Sequence, residues 1–421
     1  MVIFFSYKGS AISMRPRIIL APNPPIVNKD NVIIAGHGRV EAANLLGIKE
    51  IPILRIEHMT EDQIRAYVIA DNRLAELAGW DKSVLAVELQ HLITTDIDIG
   101  IIGFEMGEID VLISDLQLVE KGKLDSADQM PAIATNPISC PGDMWCMKAK
   151  NVAGEHYLCC GSILDEGAFD SLMRGKKAAM VFVDPPYNVK VNGHVGGLGE
   201  MQHREFAMAS GEMTMEEFIA FLRTLFQMLV RHSVDGSIHF VCMDWRHLKE
   251  LLEAAEVYDE FKNLCVWKKD NAGMGTFYHS QHELVGVFKH GTAPHKNNFQ
   301  LGQYGRYRTN VWEYAGCNSF SRNSEEGNLL DFHPTVKPVA MVADAIMDCS
   351  DRGDIVLDSV LGSGTTLIAA ERTGRICYGM EIDPLYVDTA IRRWQKYTGG
   401  EAVRVADGKT FNQLEQEKGN G

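Results

Sequence analysis

The sequence predicts a doubly wound, mostly parallel α/β sheet joined to a smaller α+β module, and three observations carry that expectation. From Cys140 onward, apolar runs that read as strands alternate with amphipathic segments that read as helices. One strand, "AAMVFV" (Ala178 to Val183), is apolar without interruption, as a parallel strand covered on both faces must be. Another, in "DIVLDSVLGSGTT", runs into a glycine turn and a helix, the layout in which such sheets bind ligands at the C-terminal ends of their strands.

The elements follow in chain order. "NVIIAGHGRVEAANLLGIKEIPILRI" reads as strand, glycine turn, short helix stopped by Gly47, and strand. Thr60-Glu61-Asp62-Gln63 is a capping box opening a helix closed by Gly79, Asp81 caps the next helix, and "GEIDVLISDLQL" is a further short one. "EKGKLDSADQMPAIATNPIS" has no period and reads as a linker. After it come "EEFIAFLRTLFQMLVRH" (helix), "GSIHFVCMD" (strand), "RHLKELLEAAE" (helix), "LCVWKK" (strand), "VAMVADAIMDCS" (helix), "DIVLDSV" (strand), "TLIAAERTG" (helix), "RICYGMEID" (strand) and "PLYVDTAIRRWQKYTG" (helix). The expected limits are a module over 1–118, a linker over 119–138, the α/β domain over 139–407 and a flexible tail over 408–421.

Composition bounds the function. A chain of 421 residues exceeds one average domain, and 46% hydrophobic residues fill sizeable cores. No run approaches the roughly 18 apolar residues of a membrane span, and the opening stretch lacks the marks of a signal peptide, so a cytoplasmic location is expected. Nine scattered cysteines fit reduced thiols rather than a disulfide framework. Cys140, Cys146, His156, Cys159 and Cys160 lack paired zinc-ligand spacing, and "HYLCC" reads as a strand, so no metal is expected. A net charge of −15 repels nucleic acid, so any DNA-binding surface must be local.

The glycine turn narrows the ligand. "LGSGTT" has no Walker lysine and no third glycine for a pyrophosphate, while Glu381 ends the next strand, where a ribose hydroxyl would be held. That leaves NAD, another adenosine-bearing cofactor without a pyrophosphate, or a turn with no ligand. The second signal is "VFVDPPYNV", in which a buried strand delivers a carboxylate, two rigid prolines and an aromatic face to the same sheet edge.

Together these motifs resemble the amino-group DNA methyltransferases. The match consists of Asp184-Pro185-Pro186-Tyr187, His333-Pro334-Thr335-Val336-Lys337-Pro338 and the strand from Asp358 to Gly364, in the order of the β class, with "SQHELVGVFKHG" and "NVWEYAG" between. It covers Cys140 to about Gly400. The N-terminal module resembles ParB/sulfiredoxin-like domains through "IIAGHGRVEAANLLG" and "AYVIADNRLAELAGWD", although its start is short. Val360 stands where the family has Phe, and Ser162 where it commonly has Asp, which implies looser cofactor packing.

The resemblance implies S-adenosylmethionine as cofactor, held by Asp358, Val360, Gly362, Gly364, Thr365, Glu381, Thr335, Lys337 and Ser162. It implies Asp184, Pro185, Pro186 and Tyr187 as the catalytic residues: Asp184 and the Pro185 carbonyl accept the hydrogens of a base amine, and Tyr187 stacks on the flipped base. No Pro-Cys dipeptide is present for carbon methylation. Adenine N6 is expected because the acid is Asp, with cytosine N4 as the alternative. Between Lys289 and Arg322, five basic residues meet one acid, Glu313, and Lys296, Arg306, Arg308 and Arg322 are the expected contacts to double-stranded DNA. His279, His282 and Glu283 in "YHSQHE" read as polar residues that position substrate or neighbouring strands. Further partners considered are a second copy of the chain and a nucleotide at Gly36-His37-Gly38-Arg39. Two competing readings are a DNA-binding adaptor with a weakened catalytic domain and an NAD-dependent oxidoreductase; the latter leaves Asp184 to Tyr187 unexplained.

Overall fold

The computed structural model describes residues 24–45, 47–77, 80–93, 104–116, 126–128, 130–131, 133–189, 209–270, 272, 277–299, 306–315 and 336–419. The chain divides into two compact units, Met1–Glu88 with Ile97–Phe104, and Leu89–Asp96 with Glu105–Gly421.

In the first unit, β1 (Ile26–Val27) pairs antiparallel with β2 (Ile33–Ala35) and parallel with β3 (Leu54–Arg55). Gly36, at φ 88°, turns the chain into α1 (His37–Leu45). The capping box of α2 (Glu61–Leu77) forms as expected: Thr60 N–H donates to Gln63 Oε1 at 2.9 Å, and Gln63 N–H donates to Thr60 Oγ1 at 3.3 Å. Asp81 caps α3 (Lys82–Ile93), of which the residues up to Glu88 belong to this unit, by accepting from Val84 N–H at 3.1 Å.

The second unit takes in the end of α3 from Leu89, then α4 (Met106–Leu116), β4 (Met144–Lys148), β5 (Glu155–Cys160), α5 (Glu166–Met173), β6 (Ala178–Val183), α6 (Met215–Arg231), β7 (Ser233–Met243), α7 (Leu248–Ala254), β8 (Glu260–Lys268) and β9 (His282–Lys289). It ends with β10 (Val311–Glu313), α8 (Val339–Cys349), β11 (Ile355–Asp358), α9 (Thr365–Thr373), β12 (Ile376–Glu381), α10 (Pro384–Thr398), β13 (Ala402–Arg404) and α11 (Phe411–Gly419). The ten strands form one sheet in the order β10-β8-β9-β7-β6-β11-β12-β5-β4-β13, with β7-β6-β11-β12-β5 all parallel. This is the doubly wound sheet the sequence predicts. Met180 and Phe182 of β6 join a core with α8, α9 and α10, while Val181 and Val183 join a second with α5, α6 and α7. Thr214 and Glu217 close a capping box on α6, whose buried stripe includes Phe218, Leu222, Leu225 and Leu229 at helical spacing. Among the described residues no helix is long and apolar enough to cross a membrane.

Two expectations change. Four described residues of the stretch read as a linker are held by the second unit: Asp388 accepts from Ile138 and Ser139 N–H at 2.5 and 2.9 Å, Asp128 accepts from Val339 N–H at 2.9 Å, and Arg393 donates to the Ala127 carbonyl at 2.9 Å. Helix α4 joins the same unit through Asp110, whose carboxylate holds Arg375 at 2.8 Å and Arg352 at 3.1 Å. Residues 408–421, read as a flexible tail, carry α11. Thr410 and Gln413 exchange capping bonds at 2.9 and 3.2 Å, and Phe411 is fully buried with its ring 5.4 Å from that of Trp145.

Candidate active site

Strands β6 and β11 lie side by side, yet the chain leaves β6 toward β7 and β11 toward β12. That reversal opens a crevice at their C-terminal ends. Asp184 follows β6, Asp358 ends β11 and Glu381 ends β12, so parallel pairing brings three carboxylates to one edge. Because β9 runs antiparallel to β7 and β8, its first residues reach the same edge. Glu283 therefore faces Lys269, the residue after β8.

The Asp184-to-Tyr187 motif joins Glu283, Lys269 and Lys337 in one hydrogen-bonded network. The Tyr187 hydroxyl donates to Asp184 Oδ1 at 2.6 Å and lies 3.3 Å from Glu283 Oε2. Lys337 Nζ sits 2.6 Å from Asp184 Oδ2 and 3.0 Å from Glu283 Oε2. Lys269 pairs with the other oxygen of Glu283. Burial raises the Asp184 carboxyl above the usual carboxylate range against the pull of Lys337, and Glu283 adds to the rise. Burial also pushes Glu283 up, but the ammoniums of Lys337 and Lys269 outweigh it and hold that carboxyl at about 2. The two carboxylates outweigh the burial of Lys337 and keep it protonated, well above the usual lysine range. Lys337, expected with the cofactor residues, lines the cavity but places its ammonium on Asp184.

The crevice continues as a cavity lined by Asp184, Pro185, Pro186, Tyr187, Lys337, Asp358, Val360, Gly362, Thr365 and Glu381, with Ile163, Phe221, Ile382 and Tyr386 as apolar walls. Asp358 accepts from Val360 N–H at 3.0 Å and from the Thr366 hydroxyl at 2.6 Å; Glu381 accepts from the N–H groups of Gly362 and Asp383, both at 2.8 Å. Neither carboxylate is paired with a cation among the described residues, and burial pushes both up to about 7. Two buried acceptors without counter-ions, set at strand ends around an apolar-walled cavity, fit a cationic ligand that also carries ribose hydroxyls and an aromatic ring. They fit S-adenosylmethionine.

Several sequence assignments move. Gly362 faces open space, whereas Gly364, at φ 89°, serves packing, since a Cβ there would meet Ala390 Cβ at 2.8 Å. Ser162 is not among the cavity residues, and its hydroxyl accepts from Leu164 N–H at 3.2 Å; Ile163 lines the cavity instead. Thr335 and Arg322 lie outside the described residues.

Three of the four residues expected to contact DNA, Lys296, Arg306 and Arg308, pair with carboxylates of the chain itself. Lys296 pairs with Asp351 at 2.6 Å and Asp354 at 2.5 Å. Asp354 precedes β11, so this pair sits at the sheet edge opposite Asp184. Arg306 binds Asp348 at 2.5 Å, and Arg308 binds Asp348 at 3.1 Å and the Tyr314 hydroxyl at 2.9 Å. Their side chains are only 10% and 17% exposed, so these guanidiniums neutralise α8 rather than face a phosphate backbone.

Comparison with known proteins places this geometry. A family model described as DNA methylase matches residues 178–392, just over half of the chain, and one described as ParB-methyltransferase HTH domain matches 83–141. The chain is 24% identical over 246 residues to the type II methyltransferase M2.MboI of Moraxella bovis, covering 55% of this chain and 85% of that protein. It is 26% identical over 255 residues to the DNA adenine methyltransferase YhdJ of Escherichia coli (strain K12), covering 55% and 82%. Among solved structures, the PvuII DNA methyltransferase (cytosine-N4-specific) aligns with a TM-score of 0.42 at 14% identity, covering 62% of this chain and 89% of that one.

Proposed function

The chain belongs to the DNA methylase family, and from that premise we propose that it methylates adenine N6 in double-stranded DNA. The coarser activity is the family's own: an S-adenosylmethionine-dependent transfer to an exocyclic amino group of a DNA base. The observation that carries the finer reading is Asp184, a carboxylate where cytosine N4 enzymes usually have Ser. The name of the adenine-specific relative supports it.

An exocyclic amine is a poor nucleophile because its lone pair is delocalised into the ring. In this reading Asp184 and the Pro185 carbonyl accept its two hydrogens, which localises the lone pair on nitrogen. Tyr187, anchored at its hydroxyl by Asp184, offers its ring to a base taken out of the stack. When bound, S-adenosylmethionine supplies a methyl group on a positively charged sulfur. Asp358, Gly362 and Glu381 would hold its amino-acid and ribose parts, and Val360, Ile163 and Tyr386 would exclude water around it. Positioning of the two reactants supplies much of the rate.

Exposed aromatics support DNA contact on the same edge. Trp245 follows β7 with the Arg246 guanidinium 5.0 Å from its ring, and Phe277 and Tyr278, between β8 and β9, are 85% and 81% exposed. The proposed methyltransferase body takes in α4, residues 126–128, Ile138, Ser139 and α11. The test of base identity is methylation of duplex DNA with labelled donor, digestion to nucleosides and chromatography. N6-methyladenosine label is expected; label confined to N4-methylcytosine overturns the adenine assignment.

A further inference from the structure

Glu283 is an expensive residue to place where it is. Its side chain is 13% exposed, and an ionised carboxylate in such a position costs several kcal/mol unless it is paired. Both of its oxygens are committed: Lys269 holds one, and Lys337 and the Tyr187 hydroxyl meet the other. The ammonium of Lys337 therefore lies between two carboxylates, 2.6 Å from Asp184 and 3.0 Å from Glu283. A lysine bound to Asp184 alone would neutralise it and leave a weak acceptor.

We propose that Glu283 is a positioning residue that draws Lys337 into a shared position, so that Asp184 stays ionised yet able to take a hydrogen from the base's amino group. The inference rests on the reading of Asp184 as that acceptor. As the amine nitrogen bonds to the methyl carbon, the sulfonium sulfur keeps the electron pair of the bond that breaks, and one amine hydrogen leaves as a proton to Asp184.

The groups that act on Asp184 come from five elements: Tyr187 from the β6 exit, Lys337 from the segment before α8, Glu283 from β9, Cys242 from β7 and Asp358 from β11. Tyr187 and Cys242 are neutral, both pushed well above their usual ranges chiefly by burial. Lys337 is the cation in direct contact, so how far it is shared sets the charge left on Asp184. Removing Glu283 releases Lys337 to Asp184 and lowers the proton affinity of that carboxylate. Removing Lys269 does the reverse, because Glu283 then leans harder on Lys337.

The test compares Glu283→Gln and Lys269→Met in the full chain. Single-turnover methyl transfer is measured against pH with saturating donor and duplex DNA. Asp184 is titrated separately, without donor or DNA, through the infrared carboxylate band that Asp184→Asn removes. Glu283→Gln is expected to slow the step about tenfold with the KM values for donor and DNA unchanged, and to move the acid limb and the Asp184 titration down by about one pH unit. Lys269→Met, at a partly exposed side chain, is expected to move both upward. A merely structural role predicts slower variants without opposite movements. An unmoved or upward-moving titration in Glu283→Gln, or a downward one in Lys269→Met, overturns the proposal. Methyl transfer surviving in Asp184→Asn would instead overturn the reading of Asp184 on which it rests.

Discussion

The two glycines of the turn between β11 and α9 look equivalent in the sequence and are not equivalent in the fold. At Gly364 an added Cβ lies 2.8 Å from Ala390 Cβ and 3.1 Å from Ala390 Cα on α10, with φ at 89°. Gly364→Ala thus combines left-handed strain of roughly 1–2 kcal/mol with overpacking of roughly 1–3 kcal/mol, about 2–5 kcal/mol together. At Gly362, with φ 54°, nothing lies within 4 Å of the same atom, so Gly362→Ala carries only the strain of roughly 1–2 kcal/mol. Its methyl group, however, would project beside the cavity proposed for the donor, which Gly362 lines. Thermal unfolding and calorimetric titration with S-adenosylmethionine separate the two. Gly364→Ala is expected to lower Tm by several degrees, and Gly362→Ala to lower it by the smaller amount its strain sets while weakening donor binding at least tenfold, about 1.4 kcal/mol. Equal losses of Tm, or native donor affinity in Gly362→Ala, would refute this division of roles.

Further outcomes follow from charge and from exposure. Asp358 and Glu381, raised to about 7 by burial, hold protons between the usual carboxylate range and pH 7 that the unfolded chain has released, so the free protein loses their share of stability as pH rises through that window. A cationic donor favours their ionised forms, so its affinity should rise from pH 6 to pH 8 with proton release on binding; calorimetry in buffers of different ionisation heat reads this, and zero release contradicts it. Arg306→Ala and Arg308→Ala should leave the salt dependence of DNA affinity unchanged while lowering Tm, whereas Phe277→Ala with Tyr278→Ala should weaken DNA binding about tenfold; a reduced salt slope in the arginine variants would restore them to the DNA surface.

Much of the site was legible because its carboxylates sit where strands end, and strand ends are visible as breaks in apolar runs. Asp184, Asp358 and Glu381 needed only that the strands be parallel. Strand order was not legible. The placement of β9 between β7 and β8 brings Glu283 and Lys269 to Lys337, and "YHSQHE" showed polarity there without its partner. The basic stretch misled for the opposite reason. Counting charges along residues 289–322 omits Asp344, Asp348, Asp351 and Asp354, which lie beyond it in sequence and against it in space. The last helix was missed because its composition is polar, yet Thr410 and Gln413 spell a capping box and Phe411 supplies the anchor.

The central claim is that Asp184 accepts a hydrogen of a DNA base's amino group while S-adenosylmethionine occupies the adjoining cavity. Its most direct test counts labelled methyl groups moved to duplex DNA by the native chain and by Asp184→Ala, with donor affinity measured in both. Loss of transfer by at least a thousandfold with donor binding retained is predicted, and equal counts from the two proteins would contradict it.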